Sequence, residues 1–205
     1  MTKKKERNFL EAALEAGEAA LDLLTDNEAV KAVPVIGTAF KLLKGVDDLR
    51  DRALAAKLET FIRHPSLLSD QVREKLKNGI SSSEEEAIKV GEMLFLVLDK
   101  MTDLEKPHLL ARVFRAYLDL DGVITAVDLR RLSHALDGAF TDDLISLEHW
   151  QESAHVSYGI EWKQPLVGVG LTRVVTGQTI DTLTEVHYEL TELGRKLYQA
   201  LWHAR

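Results

Sequence analysis

Apolar residues recur every three or four positions through much of the first 140 residues. In residues 5–25 the apolar set is Phe9, Ala13, Ala16, Ala20, Leu21 and Leu24, with acidic residues between its members. A second stripe follows Pro34 and continues to about His64, just before Pro65. This spacing is typical of amphipathic α-helices, and proline suits the first turn of a helix. The pattern therefore predicts two long N-terminal helices.

Five further helices are predicted between residues 69 and 153. A short one opens at Ser69 and closes at Asn78-Gly79. The next begins with SSSEEE, the serine cap and acidic first turn that helix N-termini favour, and its later half is apolar on nearly every side. We expect this helix to be central. Helices over 103–118, 125–136 and 141–153 follow.

The pattern changes near residue 159, where glycine, threonine and valine become frequent. Two strand-like runs, LVGVGLTRVV and TEVHYELT, flank the polar stretch TGQTID, as expected for two strands joined by a turn. A final helix is predicted over 192–203. We therefore expect a mainly α protein, with a helical bundle as its body over residues 1–140 and a small α+β unit over 141–205.

The end of the chain resembles winged-helix domains, in which a hairpin leads into a strand-to-helix step of the form Y-x-L-T-x-x-G-x-x-L. The matching residues are Tyr188, Leu190, Thr191, Gly194 and Leu197. Tyr188 and Leu190 would share one strand face, Thr191 would cap the helix, and Gly194 would permit close contact between helix and strand. The resemblance implies a winged-helix-like tail.

Charge disfavours nucleic acid as the partner of this tail. The net charge is −7, with local balances of +1 over residues 1–80, −4 over 81–140 and −4 over 141–205. Winged-helix proteins often carry a basic recognition helix before the hairpin, but the corresponding HWQESAHVSYGIEWKQPLVGVG has one lysine, and TGQTID has no basic residue. Affinity for nucleic acid depends largely on Lys and Arg. A local basic patch remains compatible with these balances, and a DNA-binding regulator is our third hypothesis.

The stretch DLDGVIT, residues 119–125, matches the first motif of the haloacid-dehalogenase-like phosphotransferases. In that family the first Asp attacks phosphorus from the end of a buried parallel strand, beside Mg²⁺. If the preceding HLLARVFRAYL were a strand, each face would bury an arginine, whereas a helix places Arg112 and Arg115 together on the outside. We therefore interpret the match as a false positive.

The same stretch resembles an EF-hand calcium loop, with Gly122 as its sixth residue. Tyr117 would then occupy the first position, which needs an acid, and Asp128 the twelfth, where Glu is preferred. We interpret it instead as a turn at Asp121-Gly122 that ends one helix, followed by Thr125 and Asp128 as the reciprocal cap of the next helix.

Other catalytic and metal-binding patterns are missing from the sequence. The chain has no cysteine, which excludes thiolate metal sites and cysteine nucleophiles. Its seven histidines lack metal-ligand spacing, and neither GxSxG nor a P-loop occurs. We expect no enzyme activity, cofactor, metal site or small-molecule substrate.

Location can also be predicted from the apolar runs. The longest run without a charged residue is nine residues, whereas a spanning helix needs about 20. Acidic residues interrupt the N-terminal segment, so no secretory signal is predicted. We expect a cytoplasmic protein.

The middle of the chain resembles uncharacterised bacterial proteins, with PVIG entering a helix that ends in RDRALAAKLETFI, followed by LLARVFRAYLDLDGVIT and DLRRLSHAL. No activity accompanies this resemblance. We expect a non-enzymatic bacterial interaction or regulatory module, of a kind that fits stress or phage-defence systems, whose tail contacts a protein partner or a second copy. Its candidate contact residues are Trp150, Trp162 and Trp202, for which core packing is the alternative.

A membrane-acting effector is the alternative function. The stretch AVKAVPVIGTAFKLLKGV, residues 29–46, combines small apolar residues with three lysines. Such a composition can lie in an anionic membrane interface. In this hypothesis Ile36 and Phe40 are the contact residues of a peripheral membrane protein.

Overall fold

The computed structural model describes residues 49–67, 72, 74–75, 84–119, 122–150, 161–176 and 186–203. Within these ranges the protein is mainly helical and carries a small antiparallel sheet near its C-terminal end, as predicted. The predicted helix over 5–25, the part before residue 49 of the helix predicted from Pro34 to His64, and most of the one at 69–78 lie outside the described residues.

Seven α-helices and two strands make up the regular structure of the described ranges. The helices are α1 (Leu49–Ile62), α2 (Glu84–Lys100), α3 (Lys106–Asp119), α4 (Ala126–Gly138), α5 (Thr141–Leu147), α6 (Pro165–Gly168) and α7 (Glu192–His203), with a 3₁₀ turn at Pro65–Leu67. The strands are β1 (Thr172–Thr176) and β2 (Val186–Leu190). They pair in antiparallel fashion with Val174 opposite Tyr188.

The chain divides into two compact units, the first ending at Ala111 and the second running from Arg112 to Arg205. The sequence placed a boundary at residue 140, which stays a prediction. Several side-chain contacts within the second unit join residues on either side of position 140.

In the first unit, α1 packs on α2 through leucine, valine and phenylalanine side chains that are almost fully buried. Lys57 of α1 is also buried, and its Nζ donates a hydrogen bond of 3.0 Å to the carbonyl oxygen of Asp99 near the end of α2. A helix end leaves such carbonyls without intrahelical partners. In the later half of α2, which the sequence predicted to be apolar on nearly every side, Leu94, Val97 and Leu98 are buried and Leu96 is 60% exposed.

The second unit has a core made mostly of leucines. The fully buried leucines are Leu129, Leu132, Leu136, Leu144, Leu147, Leu166, Leu171, Leu197 and Leu201. They come from α4, α5, α6, α7 and the residue before β1, so the small sheet and the helices share one core. Burial of this apolar surface is the main stabilising contribution.

The residues before DLDGVIT form a helix, as predicted, but the two arginines do not lie outside. The side chains of Arg112 and Arg115 are only 12% and 15% exposed. Arg112 pairs with Glu148, and Arg115 pairs with Asp119 one turn later in α3. A buried arginine is tolerable when a carboxylate pairs with it, which the helical periodicity alone could not indicate. Asp119 is thus an ion-pair partner within α3.

The turn after α3 also follows the sequence interpretation. Gly122 has a φ of +80°, a conformation that favours glycine. The Asp128 backbone N–H donates to Thr125 Oγ1 at 3.2 Å, and the Thr125 N–H donates to Asp128 Oδ2 at 3.0 Å. The reciprocal cap of α4 is therefore confirmed, whereas Asp121 lies outside the described residues.

Strand β2 and helix α7 match their predicted positions closely. The Gly194 N–H donates to Thr191 Oγ1 at 3.0 Å, which confirms the cap of α7. A Cβ on Gly194 would overlap the carbonyl oxygen of Leu171, so the predicted close contact is confirmed too. The assignment of this tail to winged-helix domains stays a prediction.

Two boundaries differ from the predicted ones. The first strand-like run starts as the helical turn α6, because Pro165 occupies a first helical position and Leu166 is fully buried; the strand begins only at Thr172. Helix α5 ends at Leu147, six residues early, and the Trp150 N–H donates to the Leu147 carbonyl in the turn that follows.

Candidate interaction surface

The outer side of α4 combines two valines with two arginines and a histidine. Val123, just before the helix, and Val127 in its first turn are 46% and 51% exposed. Arg130, Arg131 and His134 are also exposed. They follow Val127 by three, four and seven residues, which places them on one side of the helix. These five residues are called the α4 face below.

The orientation of this face is set by the opposite side of the helix. Leu129, Leu132 and Leu136 are fully buried there, and the Ser133 hydroxyl donates to the Leu129 carbonyl at 2.7 Å. Turning the arginines inward would expose these leucines, at about 1.5–3 kcal/mol for each one. The face therefore points to solvent in the folded unit.

Asp128, an acid near the α4 face, already accepts hydrogen bonds from other residues of the chain. The Nζ of Lys196 on α7 lies 2.7 Å from Asp128 Oδ2, and Thr125 donates to the same oxygen. Burial by itself raises the pKa of Asp128, but the hydrogen bonds from Lys196 and Thr125 outweigh burial, so the pKa lies below its ordinary value. Within the described ranges, Arg130 and Arg131 form no ion pair. The charges of the two arginines are thus available to a partner.

The elements around α4 are tied together by a second buried ion pair. Arg112 of α3 donates to the Glu148 carboxylate just after α5 and to the carbonyl oxygen of Leu201 in α7. The side chains of Arg112 and Glu148 are almost equally buried. Since Lys196 also joins α7 to α4, these ion pairs and hydrogen bonds connect the helix that carries the α4 face to its neighbours.

The three tryptophans predicted as contact residues occupy different environments. Trp150 is 9% exposed and packs edge to face against Trp162, which is partly exposed, with 5.7 Å between ring centroids. Trp202 on α7 is 50% exposed and lies 6.2 Å from the Tyr198 ring. The structure thus brings Trp150 and Trp162 together and places Trp202 at the surface.

The membrane-facing candidates Ile36 and Phe40, with the whole segment 29–46, lie outside the described residues. No helix in the described part of the chain is long and apolar enough to cross a bilayer. The hypothesis of peripheral membrane contact therefore stays a prediction.

The sequence reasoning did not select Arg130, Arg131 or His134. A charge balance of −4 over residues 81–140 concealed them, because it averages the local cluster with acids that lie elsewhere. The signal was nevertheless present in DLRRLSH, where basic residues occupy the polar positions of a strongly periodic helix. Mapping charge onto helix faces, rather than summing it over segments, would have found this surface.

Within the same described ranges, no group of three or more His, Asp and Glu side chains has the arrangement of a metal site. No protein-family model matches the chain, and neither the curated proteins nor the solved structures compared with it give a significant match. Function is therefore inferred from the geometry of the second unit.

Proposed function

We propose that the chain is a non-enzymatic interaction module whose C-terminal unit binds a protein partner through the α4 face. The proposal rests on two exposed valines beside two exposed arginines that form no ion pair in the described part of the chain, on a helix whose other side is buried. In a chain with a net charge of −7, a local cationic and apolar face is a specific feature. A bacterial stress or defence system remains the proposed setting.

Charge complementarity defines the partner as an acidic protein surface. Each guanidinium can form two parallel hydrogen bonds with one carboxylate, which gives directional recognition. Val123 and Val127 add apolar area that loses water on contact, and arginine is enriched at protein interfaces while other charged residues are depleted. The expected partner segment therefore presents carboxylates next to an apolar side chain.

Nucleic acid fits the same face less well. Tight nucleic-acid binders commonly neutralise about 6–10 phosphates, whereas the α4 face offers two arginines and one histidine. Arg173 on β1 is also paired with an acid, because its Nη2 lies 2.8 Å from Oε2 of Glu189 on β2. The two valines would also have no apolar partner along a phosphate backbone.

The first experiment compares Arg131→Glu with Arg195→Glu, an identical charge change at an exposed position of α7 outside the α4 face. Crosslinking and capture from the native host are quantified for wild type and both variants. We expect a partner that wild type and Arg195→Glu retain and that Arg131→Glu loses, because arginines at interface centres contribute about 2 kcal/mol or more. This loss corresponds to at least roughly a thirtyfold weaker Kd.

Two controls make the outcome decisive. Circular dichroism should show equal helicity for all three proteins, since Arg131 is exposed and makes no ion pair in the described structure. Nuclease treatment should leave the capture unchanged. A partner retained equally by Arg131→Glu would contradict the proposed surface, and nuclease-sensitive capture would favour nucleic acid instead.

A further inference from the structure

Trp150, Trp162 and Lys163 form a second arrangement, separate from the α4 face. The two indole rings are perpendicular, and Lys163 Nζ lies over both, 4.6 Å from the Trp150 centroid and 5.5 Å from the Trp162 centroid. Both distances are within the about 6 Å range of cation–π attraction. The two rings, called the tryptophan corner below, therefore already hold a cation supplied by the chain.

The walls of the tryptophan corner differ in exposure. Trp150 is buried, and its backbone N–H donates to the carbonyl of Leu147, so it is the inner wall. Trp162 is partly exposed and gives access from solvent. The two rings therefore offer a cation one buried wall and one partly exposed wall.

Lys163 can leave the corner without a change in the backbone. Its carbonyl oxygen accepts a hydrogen bond of 2.8 Å from the hydroxyl of Thr172, a buried residue of β1. This bond holds the main chain, while the flexible four-carbon side chain can adopt other rotamers without moving the backbone. The lysine is therefore a displaceable occupant.

We propose that the tryptophan corner binds a quaternary ammonium group and that Lys163 competes with this ligand for the site. A primary ammonium is strongly hydrated and carries three N–H donors, which indole faces cannot fully satisfy. A quaternary ammonium has no N–H donor to leave unsatisfied, and aromatic walls are the established means of recognising it. The preferred ligand is thus a choline-like or trimethyllysine-like cation.

The first test uses the three indole N–H signals of the ¹⁵N-labelled protein, assigned by single Trp→Phe variants. Tetramethylammonium chloride is titrated against sodium chloride at equal ionic strength. We expect the signals of Trp150 and Trp162 to shift and that of Trp202 to stay in place. Equal shifts at all three tryptophans, or none beyond the sodium control, would overturn the proposal.

The competing role of Lys163 is tested by a matched pair of variants. Lys163→Gln removes the internal cation and should tighten binding roughly two- to fivefold, the factor that an exposed cation–π contact represents. Lys163→Arg keeps a cation and should leave the affinity near that of wild type. Both changes are at a partly exposed side chain, so both proteins should fold. Equal affinities for Lys163→Gln and Lys163→Arg would overturn the competition.

Two further probes separate the possible sources of the cation. A peptide with one trimethyllysine is compared with its unmethylated form, and phosphatidylcholine vesicles are compared with phosphatidylglycerol vesicles. Selective binding of the methylated peptide assigns the site to a modified protein, and selective vesicle binding assigns it to a lipid headgroup. Binding of tetramethylammonium alone assigns it to a small free cation.

Discussion

Two aspartates of the second unit have pKa shifts of opposite sign. Burial raises the pKa of Asp143, and the neighbouring charge of Asp142 raises it further. Burial also acts to raise the pKa of Asp128, but the hydrogen bonds from Lys196 and Thr125 reverse the direction. The nearby hydrogen-bond donors thus decide the direction in which the pKa of a largely buried carboxyl shifts.

The lowered pKa of Asp128 predicts how stability depends on pH. Its folded-state pKa lies below the ordinary value of 3.8, so ionised Asp128 stabilises the fold above pH 3.8, and this contribution is lost as pH falls through the folded-state value. We expect Asp128→Asn to lower the free energy of unfolding by about 1 kcal/mol at pH 7. Urea unfolding should show the difference from wild type shrinking below pH 3.8.

The contribution of Lys196 to stability depends on pH in the opposite direction, because it is lost at high pH. The hydrogen bond to Asp128 raises the pKa of Lys196 above 10.5 despite the opposing effect of burial, so the contribution of Lys196 to stability is present below pH 10.5 and lost above the folded-state value.

The control for Asp128→Asn is Glu92→Gln, at an exposed carboxyl of α2, which should change the free energy of unfolding by less than about 0.5 kcal/mol. A constant effect of Asp128→Asn down to the lowest pH would contradict the assigned pair.

Helix α7 packs closely against the residue before β1, with Gly194 next to the carbonyl group of Leu171. The carbonyl oxygen of Leu171 accepts a hydrogen bond from the Thr191 N–H at 3.0 Å and lies against the Cα of Gly194. The Leu190 side chain would lie 3.2 Å from a Cβ at Gly194. No larger residue fits between α7 and the hairpin unless one of them moves.

We expect Gly194→Ala to destabilise the protein by about 3 kcal/mol, because overpacking against backbone forces the helix away from the hairpin. Gly168→Ala is the matched control, since a Cβ at Gly168 has no heavy atom within 4 Å. Its effect should be about 1 kcal/mol or less. Thermal unfolding of both variants makes the comparison, and similar losses at the two positions would count against the contact.

At the scale of the whole molecule, the folding of the second unit depends on contacts between residues that are far apart in the chain. Lys196 pairs with Asp128 across 68 positions, and Arg112 donates to the carbonyl of Leu201 across 89. Each of these pairs joins α7 to a helix that precedes residue 140. A stable C-terminal unit therefore needs α3 and α4 as well as the hairpin.

Two fragments test the extent of this unit. A fragment of residues 104–205 retains α3 and α4 and should unfold cooperatively with helical circular dichroism. A fragment of residues 141–205 leaves Glu148 and Lys196 without Arg112 and Asp128 and loses the buried leucines of α4, so we expect no cooperative transition. Cooperative folding of the shorter fragment would instead support the boundary at residue 140.

What the sequence determined is local. The helices, the reciprocal cap of α4 by Thr125 and Asp128, and the cap of α7 by Thr191 were all predicted from the sequence. Each depends on residues within three or four positions of one another. The strand-like pattern before Thr172 was misleading for the same reason: alternating valines and glycines favour a strand until a buried Leu166 and a first-turn proline select a helical turn.

Only the tertiary structure decided which charges are buried and which remain available. Helical periodicity placed Arg112 outside, but packing brought Glu148 and a carbonyl of α7 to it. Packing likewise pairs Asp128 with Lys196, and among the described residues Arg131 forms no ion pair. Such pairings join distant positions and depend on how helices pack, so local sequence patterns do not contain them. Both candidate sites, the α4 face and the tryptophan corner, arise at this level.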